Sequence, residues 1–529
     1  MSDFSRREFL LASAAAALFG GAPAAAQSPL KLPRPGREVW VTLVARAADP
    51  GVETVSFGVP LPPDFLRDAA LVRVLGEDGA EVAASTRALE PWRLGGRDGG
   101  SVRSVLVQFK SDFGAARTKR VRVLFGRKSK LTGAPLVPVA ETLIERDGLK
   151  GPRVLAALPA KWLCDSWLVG PQTPAAESGE FTAYERFVER NFPGSLRYLN
   201  SKVFSEWLYD RPANYFKMYA RTGDPKFFEA ASTAAHFMRL HTVTEGPDAG
   251  VFKLKGADLK YVYPRAMHLH YLLTGDERAR ETGLLMARYC LKHTDPVYRP
   301  AGLQTHSPDT DPEKSRPFWT PRQQGYGLLG VLHGWEMTGE RAYWEKARAC
   351  VDAYYRHQLQ PPDGLPPDGS LRQDWSLYDR SEADFKGATS AWMMALLLDP
   401  LFQFWTMTGD RRVPEMVVRW CDFLDRRGMT PDGSKAYYVI NCFAKPGEPG
   451  GEPGPDMEMH NPEIAYTFAM GIFFARDAAR RAAYRRRFDR VFPLAVTLDV
   501  NRPGRAFNWA FQFTSQLVYF MKHAGRGRA

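Results

Sequence analysis

The chain has 529 residues, of which 44% are hydrophobic and 25% charged, and a formal net charge of +12. These are the values of an ordinary globular protein with room for roughly two or three domains, and they exclude a membrane-spanning role, since no stretch past the opening segment is long and apolar enough to cross a bilayer. The positive balance suits an acidic partner, such as an anionic polysaccharide, a membrane surface or a nucleic acid.

Residues 1–26 read as a removable export signal. Arg6 and Arg7 form the positive region, 10–19 a short apolar run, and Ala24-Ala25-Ala26 a small-residue cleavage site before Gln27. Ser5-Arg6-Arg7-Glu8-Phe9-Leu10 fits the twin-arginine (Tat) consensus. The mature chain is therefore expected in the periplasm or outside the cell, carried there folded by the Tat translocase. Folding in a reducing cytoplasm predicts that Cys164, Cys290, Cys350, Cys421 and Cys442, which form no CxxC pair, are mostly buried thiols.

Residues 27–128 alternate as strands. Segments 39–46, 55–62, 71–75, 102–109 and 120–125 are rich in β-branched residues and separated by turns such as Glu77-Asp78-Gly79. An all-β barrel or sandwich is expected here. The Pro- and Gly-rich stretch 129–180 reads as a linker lying against both halves.

From 181 to 529 the period becomes helical. A Thr-Gly-Asp/Glu turn between two helices recurs at Gly223, Gly275, Gly339 and Gly409. Glycine there can adopt the left-handed conformation that ends one helix, and the acid suits the start of the next. Further helices are predicted over 182–191, 462–475, 477–492 and 506–522. The repeat predicts about a dozen helices in six hairpins, an (α/α)6 toroid, with an open solenoid as the competing architecture. The fold class is thus multidomain β + α. Tight turns at one rim force the long connections, near 242–261, 294–321, 359–387 and 428–461, to the other, and long loops usually serve a function.

Those connections carry His306, Asp309, Asp311, Trp319 and Arg322; then Trp375, Tyr378, Asp379, Arg380 and Glu382; then Tyr437, Asn441, Glu458, His460 and Glu463. Aromatic faces beside carboxylates and guanidinium groups suit a saccharide cleft. The helical half, with its repeated turns and Trp-Leu-Tyr-Asp-Arg-Pro at 207–212, resembles the six-hairpin glycosidase superfamily of glycoside hydrolases and polysaccharide lyases. The β half, through 55–62, 72–79 and 100–109, resembles the N-terminal RIFT-barrel-like domain of exo-rhamnogalacturonan lyase and YetA-like proteins. Those relatives place a further β domain before the toroid, which this sequence lacks. The resemblance implies an enzyme acting on a polysaccharide or oligosaccharide.

Two chemistries and one non-catalytic role fit these residues. A lyase acting on a uronate-containing, pectin-like glycan needs a cation at the carboxylate, a base for the C5 proton and an acid for the leaving oxygen. Arg322 and Arg380 suit the first task with Asn441, His306 or His460 the second, and Tyr378 or Tyr437 either proton transfer. A glycoside hydrolase needs two carboxylates, for which Asp210, Asp309, Asp379, Glu382, Glu458 and Glu463 are candidates. Trp319, Trp375, Tyr437, Arg380, Asn441 and Glu463 would bind substrate. A glycan-binding or export factor would keep the aromatic cleft without the acid–base pair. The resemblance and the basic charge put the lyase slightly ahead.

No cofactor is expected, although His306-x-x-Asp309-x-Asp311 offers ligands that a divalent cation such as Ca2+ would accept. His268 and His270 lie two apart on a helix and do not share a face, so they make a poor metal pair. The arginine-rich run 475–490 has few aromatics and reads as a solvated helix face, so no nucleic-acid partner is expected.

Overall fold

The computed structural model describes residues 30, 31, 33–146, 149–298, 319–373, 387–445, 448, 450–452, 454, 457–501 and 505–527. The expected export signal lies outside them.

The N-terminal region is a pair of facing antiparallel sheets. Strand β1 (Glu38–Ala45) pairs with β7 (Thr118–Phe125), which pairs with β3 (Val72–Gly76) and through it β4 (Glu81–Val82). The second sheet orders β2 (Val52–Pro60), β6 (Arg97–Asp112) and β5 (Ser85–Leu94). Val41, Leu43, Val55, Phe57, Val107, Phe109 and Val123 fill the space between them. The 129–180 stretch is more than a linker. It forms β8 (Leu143–Arg146), β9 (Leu149–Pro152) and β10 (Val154–Ala157), and β10 extends the first sheet by pairing with β1. Its Pro-rich opening hid these short strands.

After a short helix α1 (Ala160–Asp165) comes α2 (Thr182–Ser195), then four hairpins whose helices meet at the predicted turns. These are α3 (Arg211–Thr222) with α4 (Pro225–Leu240), α5 (Pro264–Thr274) with α6 (Glu277–His293), α7 (Pro321–Thr338) with α8 (Arg341–Leu359), and α9 (Ala391–Thr408) with α10 (Arg412–Phe423). A fifth joins α11 (Asn461–Phe474) to α12 (Ala478–Ala495). The chain ends in α13 (Ala506–Phe511) and α14 (Leu517–Lys522). One helix was expected over 506–522. It is interrupted because Gln512 is claimed from outside: its carbonyl accepts from Lys217 Nζ, and its side chain accepts from Tyr326 Oη at 2.9 Å.

Gly223, Gly275, Gly339 and Gly409 have φ of 67°, 72°, 72° and 69°, and each amide closes onto the carbonyl four residues back. Asp224, Asp276 and Asp410 then cap the next helix through Lys226 N, Arg278 N and Arg412 N. Helices α3, α5, α7, α9, α11 and α13 contact one another in sequence, and α13 returns to α3, closing an inner ring. Helices α4, α6, α8, α10 and α12 back their partners, and α2 backs α13, so chain start and chain end make the sixth pair. This is a closed (α/α)6 toroid. The inner helices are buried nearly all round, whereas α10 shows an amphipathic stripe of Val413, Met416, Val417 and Trp420. All five cysteines are buried free thiols, and among the described residues no helix is long and apolar enough to cross a membrane.

The sandwich sits on the turn rim of the ring. Ser101–Phe109 in β6 is buried on both faces because one side meets the sandwich core and the other meets the toroid. Ser104 Oγ donates to the Leu272 carbonyl at 2.6 Å, and Gly95 N donates to the Met407 carbonyl at 2.8 Å. At Gly58 an added Cβ would lie 2.1 Å from the Leu272 carbonyl oxygen, so only glycine permits this approach. With the turn rim covered, the N-terminal ends of the inner helices form the other rim.

Candidate active site

At that rim the chain runs from irregular backbone into each inner helix, and aromatic and ionisable side chains meet there. His460 precedes α11. Its ring stacks on Trp392, the second residue of α9, with centroids 4.8 Å apart and planes at 15°, and lies 4.9 Å from Trp509 of α13. Tyr438 completes the group at 5.3 Å from Trp392 and 5.8 Å from His460. Arg322, the second residue of α7 after Pro321, lies 5.0 Å over the Trp392 ring and donates to Tyr209 Oη at 3.3 Å. Arg505 lies 4.8 Å over Trp509. His460 Nδ1 is hydrogen-bonded to Glu463 Oε2, one helical turn along α11.

Tyr209 and Asp210 take left-handed φ values of 74° and 49°, which non-glycine residues rarely adopt. The strain turns Tyr209 toward Arg322 and leaves Asp210 as the cap of α3, accepting from Ala213 N at 3.4 Å.

Burial shifts these groups strongly. It pushes the Glu463 carboxyl well above its usual range, with Arg322 opposing. It pushes His460 down to about 3, helped by Arg505 and Arg322. Burial thus favours the uncharged form of each partner. His460 Nε2, Glu463 Oε1, Trp392 Nε1 and Trp509 Nε1 are all buried without a hydrogen-bond partner among the described residues. These four atoms belong to one contact group and are able to receive hydrogen bonds from, or give them to, a bound molecule.

Asp210 is 1% exposed, and burial raises its carboxyl to about 7 against the pull of Arg265 and Lys217, with Asp399 adding to the rise. The folded value lies above the unfolded one. The contribution to stability is thus fully present below about pH 4 and is lost as pH rises toward 7, at up to about 1.4 kcal/mol per unit. The buried histidines contribute with the opposite sign, so the test is the difference: in urea unfolding between pH 4.5 and 7 the native protein should lose stability relative to Asp210→Asn, which keeps the helix cap, and equal slopes would contradict it.

Of the residues singled out from sequence, Arg322, His460 and Glu463 meet at the rim, and Asp210 lies directly beside it. Trp319 does not join them. It donates to the Pro296 carbonyl at 3.1 Å and sits against Tyr298, His357 and Tyr354, anchoring the backbone that leads into α7. Tyr437 lies against Gly450 and Gly451, and its neighbour Tyr438 reaches the rim group instead. The Asn441 side chain accepts from Phe443 N at 3.1 Å within a local turn. His306, Asp309, Trp375, Tyr378, Asp379 and Arg380 lie outside the described residues. Tyr209, Trp392, Arg505 and Trp509 were not singled out: they sit in or beside inner helices, where an aromatic reads as core.

The fold and site together define a toroid of six helix pairs with an aromatic, ionisable rim. No family model matches the chain, and no curated protein is similar to it. Solved structures similar to it include an unsaturated glucuronyl hydrolase from Bacillus sp. GL1, 16% identical with a TM-score of 0.40 over 60% of this chain and 86% of that one. An alpha-1,6-mannanase from Salegentibacter sp. HEL1_6 is 12% identical with a TM-score of 0.41 over 64% and 98%. A polysaccharide lyase is 11% identical with a TM-score of 0.40 over 62% and 97%.

Proposed function

We propose that this chain is an exported enzyme that cleaves glycosidic bonds in a uronate-containing polysaccharide or oligosaccharide by β-elimination at the rim. The carrying observation is the His460–Glu463 pair with its two orphaned atoms, set beside Arg322 in an aromatic enclosure.

With the Glu463 proton on Oε1 and the His460 proton on Nδ1, Oε2 accepts from Nδ1 and both orphaned atoms face reaction roles. His460 Nε2 takes the C5 proton of the uronate. The C5–H pair becomes the C4=C5 double bond as the C4–O4 bond breaks. Glu463 Oε1–H protonates the departing O4. One proton enters the pair and one leaves. The resulting imidazolium and carboxylate neutralise each other across their hydrogen bond, so the step creates no uncompensated buried charge. Arg322 and Arg505 place two guanidinium groups at the rim, the type of group that binds a carboxylate. Trp392 and Trp509 hold the His460 ring between them, which fixes the direction of its Nε2.

A second reading, hydrolysis, is favoured by one observation: Asp210 is also a buried carboxyl raised into the range of a general acid, with Oδ2 unpartnered. A panel of uronate-containing polysaccharides, assayed for ultraviolet absorbance of an unsaturated product and for new reducing ends, separates the readings. Elimination gives both in equal amounts. Reducing ends without absorbance would establish hydrolysis, and binding without either product would make the chain a glycan-binding factor.

A further inference from the structure

We propose that His268, His333 and Glu336 form a buried binding site for a transition-metal dication of the zinc type, at the seam where the sandwich meets the turn rim. His268 lies on α5, and His333 and Glu336 lie one turn apart on the same face of α7. All three are buried, and one ligand atom from each falls within 4.8 Å of the others.

The geometry suits a small ion. His268 Nδ1 and His333 Nδ1 are 2.9 Å apart, His333 Nδ1 and Glu336 Oε2 are 3.3 Å apart, and His268 Nδ1 and Glu336 Oε2 are 3.9 Å apart. The circle through three points with those separations has a radius of about 2.0 Å, the usual length of a zinc bond to histidine nitrogen or carboxylate oxygen. Two nitrogens and one carboxylate oxygen are a common donor set for such ions.

The surroundings orient the donors. Glu90 Oε1, from β5 of the sandwich, lies 2.6 Å from His268 Nε2. A carboxylate there accepts a hydrogen bond from Nε2–H, which keeps the proton on Nε2 and leaves the Nδ1 lone pair for the ion, the usual outer-shell support of a metal-bound histidine. Arg103 Nη1 holds the other oxygen of Glu336 at 2.7 Å, and Gln403 Nε2 donates to Oε2 at 3.1 Å, which still leaves that oxygen a lone pair. A cavity of about 60 Å³ adjoins His333 and Glu336, room enough for a water as a further ligand. Because Glu90 belongs to one domain and the three donors to the other, a bound ion would fasten the sandwich to the ring. This site does not depend on the rim chemistry.

The test is a titration of chelator-treated full-length protein with Co2+ and then Zn2+, followed by calorimetry and by the visible ligand-field bands of low-coordinate cobalt. One Co2+ per chain is expected, at micromolar affinity or tighter, with the bands erased by Zn2+. Glu336→Gln, close in shape to the original, should weaken binding by at least about 100-fold, and Glu90→Gln by about 10–100-fold. Failure of the native protein to bind one ion per chain would overturn the proposal and leave a histidine–histidine hydrogen bond in its place. Undiminished affinity in both Glu336→Gln and His333→Ala would overturn it equally.

Discussion

Replacing His460 by asparagine should lower kcat on a uronate polymer by about 10²–10⁴-fold, the range for loss of a positioned acid or base. The asparagine amide can stand where Nδ1 stands and still donate to Glu463 Oε2, so the pair's hydrogen bond survives while Nε2 is removed. The cost in stability is the lost ring between Trp392 and Trp509. That loss is worth about 0.5–1.5 kcal/mol per aromatic pair beyond buried area. A chain of this size should then melt within a few degrees of the native protein. Thermal unfolding and steady-state kinetics on one preparation check both halves. Native-like turnover would remove His460 as the base. Gross unfolding would show that the ring is needed for the fold, and Glu463→Gln would then carry the kinetic test.

The rim was legible in sequence through its negative image. Gly223, Gly275, Gly339 and Gly409 announce themselves because a left-handed helix end admits few other residues, and they place the tight turns at one rim. The opposite rim follows by topology, and Arg322, His460 and Glu463 were drawn from the segments that topology sends there. Other members of the rim group are drawn from the helices rather than from the loops. Trp392, Tyr209 and Trp509 belong to the mouths of the inner helices or the residues just before and within them, where apolar periodicity makes an aromatic at the rim read as core. Trp319 shows the converse: a tryptophan in a long connection is used to fasten backbone.

The partners of the sixth helix pair and of the His268 site are hidden from the sequence by one cause. Helix α2 meets α13 across most of the chain, and His268 meets Glu90 across 178 residues. No local period encodes either contact. The expectation that His268 and His270 do not share a face agrees with the structure. His270 lines a cavity with His236 and Asp276, whereas His268 turns to Glu90 and to His333 on the next inner helix. Spacing along one helix could dismiss the first pairing but could not suggest the second.

Arg322→Ala should lower kcat/KM on a free uronate by about 10²–10³-fold, the effect of removing one charge-stabilising donor from a water-poor site. A structural role could produce some of that loss, so the pH profile carries the argument. Arg322 lowers the pKa of both His460 and Glu463. Without it both groups titrate higher. The acid limb, set by keeping His460 neutral, and the alkaline limb, set by keeping Glu463 protonated, should therefore both move to higher pH. Arg322→Lys restores the charge without the planar fork, so it should return the limbs toward their native positions while recovering only part of the rate. Preference for free uronate over its methyl ester should fall in the alanine variant, because the ester lacks the charge that Arg322 holds. Limbs that stay in place, with the ester preference intact, would mean that the guanidinium only braces Tyr209 and Trp392 and that the substrate carboxylate is bound elsewhere.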